Sequence, residues 1–285
     1  MGGKLFRNFS FFSATLSFFL LLGIFAVLFH YAQDAIHTFG IDFLWTDTWE
    51  ADEDDEGGVF GGLIPIVGTL LSTLIGMLIA TPMAMGIAIF LPEIASEKVA
   101  KPVSIAIELL AAIPSIIYGM WGLFYFAPIV QKTVGGDGVG LLTAGIVLAI
   151  MIIPFMASIT RDSMNTTPAV LKESAYAMGA TKFEVIKDVI MPYAKGGIIG
   201  SIILALGRAL GETMAVAFLI GSVMQLPKRI TDPTTSIPVL LANNFAEAEG
   251  LELSSMYYLA LILFVVSFII ISTAKFYFFG RKAKA

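Results

Sequence analysis

The chain has 285 residues and a formal net charge of −5; 57% of its residues belong to the set AVILMFWYC, 14% are charged and none is cysteine. Its mean hydropathy is +0.87, whereas a soluble domain is typically about a quarter charged. That balance excludes a water-soluble fold and implies a polytopic membrane protein. Without cysteine there is no disulfide framework, thiolate metal site or cysteine nucleophile, and His30 and His37 are too few for a histidine metal cluster. No cofactor, metal or nucleic-acid partner is expected.

Charge-poor runs, taken in chain order, predict six spans. Asn8 to Gln33 is the first, with its apolar heart at Phe18 to Phe29. Lys4 and Arg7 would suit a signal peptide, but the apolar run is too long and no A-x-A site follows. An uncleaved anchor is expected. The second run, Gly57 to Pro92, opens on glycines, and its span proper is Gly68 to Leu91. The third extends from about Ile105 to Val130 and carries Glu108 near one end, where it can snorkel. Pro114 should kink this helix, with Ser115 or Tyr118 relieving freed carbonyls. The fourth is Gly138 to Thr160, the fifth Gly197 to Met224 and the last Leu253 to Ala274. About 20 apolar residues cross a bilayer as a helix. The runs are continuous instead of alternating, so the expected class is all-α, not a barrel.

Loop charge predicts orientation. Thirteen lysines and arginines fall in the termini and in the second and fourth loops, against Lys132, Lys228 and Arg229 opposite. Both termini are therefore expected in the cytoplasm. The first outer loop, Tyr31 to Gly62, has nine acids and no lysine or arginine. Its acidic run from Glu50 to Glu56 reads as a solvated surface, without the spacing of a calcium loop. Gly135 to Gly140 is a turn, and no G-x4-G-K-[ST] loop occurs. If ATP drives this protein, another chain must bind it.

The longest cytoplasmic loop, residues 161–195, predicts two short helices. Thr167-Pro168 suits an N-cap followed by proline at N1. Gly179 stands where a left-handed residue ends the first helix. Thr181 and Glu184 have capping-box spacing for the second, which is expected to stop before Pro192.

This loop resembles a known motif. Glu173-Ser174-Ala175, then Gly179, then Val189-Ile190-Met191-Pro192 is similar to the EAA-x3-G-x9-I-x-LP motif of ABC-importer permeases. Ser174, Val189 and Met191 depart from it, while Glu173, Ala175, Gly179 and Pro192 keep it. Three further stretches resemble phosphate-importer permeases, most closely the PstC type: Phe60 to Leu70, Glu108 to Gly119 and Gly207 to Val216. The resemblance implies a type I ABC importer permease fold in the cytoplasmic membrane. Residues 1–62 would be an added helix with the acidic loop, and residues 63–280 the permease domain. It implies docking of the loop into a separate dimeric ATPase of PstB type, a second permease of PstA type, and a PstS-type phosphate-binding protein outside. The permease itself would perform no bond chemistry.

Arg208 and Glu212, four residues apart in the fifth span, are expected on one helix face. Each mid-bilayer charge costs about 2.5–3.5 kcal/mol on insertion scales. Two readings stand: a mutual salt bridge that only packs the bundle, or a polar pathway in which the guanidinium meets an oxyanion and Glu212 holds it. The resemblance, through intramembrane charges important for transport, favours the pathway. Gly207 with Gly211, and Gly196 with Gly200, have the spacing for close helix packing. Other oxyanions (sulfate, molybdate, tungstate) suit the arginine equally. An ion-coupled secondary transporter using Arg208 and Glu212 as a relay is a rival class, but the sequence has no evident inverted repeat to favour it.

Overall fold

Hydrocarbon offers a backbone N–H or C=O no partner, so apolar runs of this length must close their hydrogen bonds as helices. The computed structural model describes residues 2–50 and 58–279. In chain order the helices are α1 (Gly2–Tyr31), α2 (Gln33–Phe39), α3 (Leu63–Ile89), α4 (Glu97–Ala111), α5 (Ser115–Trp121), α6 (Ala127–Thr133), α7 (Leu141–Asn165) and α8 (Ala169–Ala177). They continue with α9 (Lys182–Glu184), α10 (Met191–Leu210), α11 (Met214–Ala217), α12 (Ile237–Asn244) and α13 (Gly250–Phe279). A short antiparallel hairpin pairs β1 (Trp49–Glu50) with β2 (Val59–Phe60). The rest of the acidic run, residues 51–56, lies outside the described residues, as do Arg281, Lys282 and Lys284.

Five helices are long and apolar enough to cross a bilayer: Leu5–Tyr31, Leu63–Ile94, Leu141–Asn165, Lys182–Leu210 and Gly250–Phe276. The bent pair Glu97–Ala111 and Ser115–Thr133, which turns by 94°, makes a sixth crossing if its two halves form one span. The sequence-based count of six then holds with the third span broken and two boundaries moved.

The third span is not one helix from Ile105. Pro114 has no N–H and disfavours helical backbone at the residue before it. The chain answers with a tight turn in which Ala112 N–H bonds Leu109 O and Ile113 N–H bonds Leu110 O. Pro114 itself is extended (φ −57°, ψ 138°). Tyr118 then donates to Leu110 O at 2.9 Å, the relief expected of it. Before the break, α4 gathers Glu97, Lys101, Ser104 and Glu108 along one stripe, with Val99, Val103 and Leu110 exposed on the opposite side.

The fifth span also differs from expectation. Its helix begins at Lys182 and runs through a π turn at Val185–Ile190 into α10. Pro192 therefore does not end a helix. The widened turn just before it accommodates a residue that cannot donate to the i−4 carbonyl. At the other end α10 stops at Leu210, not near Met224, with Gly211 as its C-cap. Residues 211–236 then fold back as α11 and an irregular segment before α12.

The core forms where α3, α7 and α10 meet. Val147, Leu148, Met151, Ile152 and Met156 of α7 are all buried. Glycine lets α3 and α7 approach closely: a Cβ on Gly145 would lie 2.5 Å from Ile75 Cγ2. Across α7 and α10, Thr160 and Ser201 hydroxyls share a 2.7 Å bond, so neither is left unpaired. By contrast α1 exposes most of its side chains and holds to the body chiefly through α13, where Tyr31 stacks on Tyr257 at 4.9 Å. Gly207 meets Ile271 of α13, whereas Gly211 closes the helix and packs against no neighbour, so only one glycine of that pair serves packing.

Gly145→Val should overpack the α3–α7 seam and destabilise the detergent-extracted protein by about 1–3 kcal/mol. A second change, Ile75→Ala, should recover part of the lost Tm; an unshifted Tm in Gly145→Val would contradict the close contact.

Candidate functional site

Two regions carry the functional candidates: the folded 161–195 loop and the end of α10. The loop makes a knob on one side of the bundle. Its first helix, α8, starts after Pro168, which is the N-cap in place of Thr167, and the Thr167 hydroxyl is buried without a partner. The register shifts by one because Pro168 adopts an extended ψ of 136° instead of the helical value needed at N1. The helix ends at Gly179, whose φ of +90° is the left-handed value expected. Gly179 N–H bonds Tyr176 O and Ala180 N–H bonds Ala175 O, so a Schellman motif closes the end. The expected capping box opens the second helix: Thr181 N–H reaches Glu184 Oε2 at 2.7 Å while the Thr181 hydroxyl accepts from Glu184 N–H.

The knob has two faces. Ala175, Val185, Ile186 and Ile190 pack inward against Ala88 of α3 and Met164 of α7. Outward, Met178 is 87% exposed and Phe183 71% exposed, with Val170 and Tyr176 beside them in sequence. These large apolar side chains stand exposed on a well-capped support. Of the motif residues, Ala175 serves the inner face and Gly179 the hinge, while Glu173 and Pro192 are exposed.

At the end of α10 the expected ion pair is not formed. Arg208 and Glu212 would share a face only if the helix continued, and it stops between them at Leu210. The Glu212 carboxylate instead accepts from Ala215 N–H at 3.2 Å, capping α11. Arg208 makes no ion pair among the described residues. Its guanidinium carbon stands 5.4 Å from the centre of the Phe155 ring of α7. A half-buried cation is thus supported by a π face and left without a carboxylate to neutralise it.

Sequence reasoning missed two further ion pairs because their partners lie far apart in the chain. Glu108 does not simply snorkel: it accepts from Arg161 of α7 at 3.0 Å. Glu93, in the π turn at Phe90–Ile94 that ends α3, binds Lys172 of α8 at 2.6 Å. Thr69 of α3 accepts from Ile237 N–H at 2.8 Å. Ser72 bonds the carbonyl of Gly68, and the Thr73 hydroxyl is buried without a partner.

A bundle of long apolar helices with a folded-back segment and a two-helix knob is the architecture of a multi-pass membrane protein. Residues 84–284 match the family described as binding-protein-dependent transport system inner membrane component. The phosphate transport system permease protein PstC of Pasteurella multocida is 46% identical over 95% of this chain and 90% of its own. The protein of the same name from Haemophilus influenzae is 46% identical over 93% of this chain and 89% of its own. A solved bacterial ABC transporter involved in import of the acidic polysaccharide alginate has the same fold, with a TM-score of 0.64 at 16% identity, covering 98% of this chain and 97% of that one. The chain belongs to the binding-protein-dependent transport inner-membrane component family, among its PstC-type permeases. It is a multi-pass membrane protein with the fold of a type I ABC importer permease, and as such a subunit of a larger transporter.

Gly179→Val should strain the hinge by about 1–3 kcal/mol, because a β-branched side chain is disfavoured at positive φ. Amide exchange across residues 176–190 should rise roughly tenfold or more, while the Tm of the bundle stays put. Unchanged exchange there would remove the hinge from Gly179.

Proposed function

We propose that this chain is the PstC-type permease of an ATP-driven importer that carries inorganic phosphate across the cytoplasmic membrane. The observation that carries the proposal is Arg208, a half-buried guanidinium on a membrane helix with no ion-pair partner among the described residues. Burying a charge without an opposite charge is costly. A transported oxyanion would supply that opposite charge transiently, and a planar guanidinium can give two parallel hydrogen bonds to it. The relatives named for phosphate transport make phosphate the first candidate. Sulfate, molybdate and tungstate would satisfy the same arginine. A secondary transporter that relays a proton between Arg208 and Glu212 is disfavoured by their separation: Glu212 is engaged in capping α11.

In this reading Arg208 and Glu212 both belong to the pathway, with different tasks. Arg208 meets the anion, and Glu212 fixes the folded-back segment beside it. The knob is the ATPase dock, with Glu173, Ala175, Gly179 and Pro192 as its motif residues. A PstB-type ATPase dimer binds it from the cytoplasm, a PstA-type permease completes the pathway, and a PstS-type protein delivers phosphate from outside. ATP binding closes the ATPase dimer, moves the docked knob and turns the pathway outward. This subunit makes and breaks no covalent bond.

Two measurements test the proposal. Arg208→Met should lower phosphate uptake by the assembled complex at least a hundredfold and Arg208→Lys by less, while Glu212→Gln, which still accepts from Ala215 N–H, should keep most of it. Rapid uptake through a normally assembled Arg208→Met complex would overturn the assignment. Competition by sulfate, molybdate and tungstate in the same assay distinguishes the oxyanions. The second concerns orientation: a cysteine introduced at Ser174 in this cysteine-free chain should resist an impermeant thiol reagent in intact cells. Its labelling there would put the knob outside.

A further inference from the structure

The knob touches α3 in two chemically different ways. Its apolar face packs Ala175, Val185, Ile186 and Ile190 against Ala88 of α3, with Met85 and Ile89 alongside. Apolar contact is non-directional, so one such surface can slide over another while staying buried. The bond from Lys172 Nζ to Glu93 Oε1 is different. It is 2.6 Å long, the Glu93 side chain is only 10% exposed and that of Lys172 24%. A charge-assisted bond largely withdrawn from water fixes position along the helix axis and resists pulling as well as pushing. Among the described residues, no other ion pair joins the knob to α3.

The far end of α3 is held just as specifically. With its π turn the helix runs from Leu63 to Ile94, 32 residues, or about 48 Å at 1.5 Å per residue. Near its start, Gly68 has the Thr235 carbonyl where a side chain would otherwise begin. One residue on, the buried Thr69 hydroxyl accepts from Ile237 N–H at 2.8 Å while donating to Pro65 O. Thr235 and Ile237 stand where the folded-back segment that starts beside Arg208 enters α12, and within that segment Thr234 N–H bonds Ile220 O at 2.9 Å. One continuous helix therefore joins the knob to the segment next to the unpaired guanidinium.

We infer that the Lys172–Glu93 ion pair is the tie through which knob movement is passed to α3, and that α3 carries it to the outer segment at Thr69. Lys172 and Glu93 are positioning residues for transport. The inference rests on the reading of the knob as the ATPase dock.

The test uses the full complex with its binding protein in proteoliposomes, read as phosphate taken up per ATP hydrolysed. Glu93→Gln and Lys172→Met should each keep the ATPase bound yet lower this ratio at least tenfold. Lys172→Arg, and the exchange Glu93→Lys/Lys172→Glu, should each retain at least half of it. A ratio within twofold of the parent in both single variants would overturn the inference. So would loss of the ATPase from those complexes, since the pair would then belong to the dock, and so would an exchange that recovers nothing. Gly179→Val, run in parallel, tests the dock itself: full ATPase retention with normal uptake would refute the dock and leave the Glu93 results to be read separately. A cross-linked Glu93→Cys/Lys172→Cys chain gives a control within one sample. Cleaving a reducible linker between the two cysteines should lower the ratio tenfold, and no change on cleavage would count against the tie.

Discussion

Everything irregular in this fold answers one constraint: inside hydrocarbon a backbone group must find its partner within the protein. Continuous helices meet it without help except at an internal proline, such as Pro154 in the unbroken α7, which cannot donate to the i−4 carbonyl. Wherever the helix breaks, a specific device repairs the loss. At Pro114 two short-range bonds and the Tyr118 hydroxyl take up the carbonyls of Leu109 and Leu110. Before Pro192 a π turn redistributes the bonding. After Leu210 the Glu212 carboxylate caps α11, and Thr69 receives the N–H that starts α12.

Charge follows the same logic. Two carboxylates near the knob side of the bundle, Glu93 and Glu108, hold basic partners from other elements. Arg208 stands apart, resting on Phe155 with no carboxylate paired to it among the described residues. A protein built only for packing would gain by pairing or removing such a charge. In the proposed reading, its place on a π face beside the segment anchored by Glu212 suits a group that binds and releases a passing anion.

The knob and the outer segment sit at opposite ends of α3, and the helix between them is locked against α7 by the contact of Gly145 with Ile75. In the proposed coupling, a helix held against α7 in this way would carry a local displacement to its far end. Rigid capping of the knob serves the same end. The Schellman closure at Gly179 and the Thr181–Glu184 box leave few soft joints between the exposed Phe183 and the membrane helices.

The sequence by itself determined the class, the number of crossings, the two capped helices of the knob and the left-handed hinge at Gly179. These rest on composition, run length and residues within four positions of one another, which act through local backbone geometry. It also singled out Arg208 and Glu212, because charges within apolar runs are rare. Only the tertiary structure decided what those charges touch. Helical spacing put Arg208 and Glu212 together, yet the helix ends at Leu210, since Glu212 gains a backbone N–H by capping α11 and Arg208 gains the Phe155 ring. Likewise the partners Glu93–Lys172 and Glu108–Arg161 are 79 and 53 residues apart, beyond any local pattern. They meet because the packing of α3, α4, α7 and the knob brings their ends to one side of the bundle.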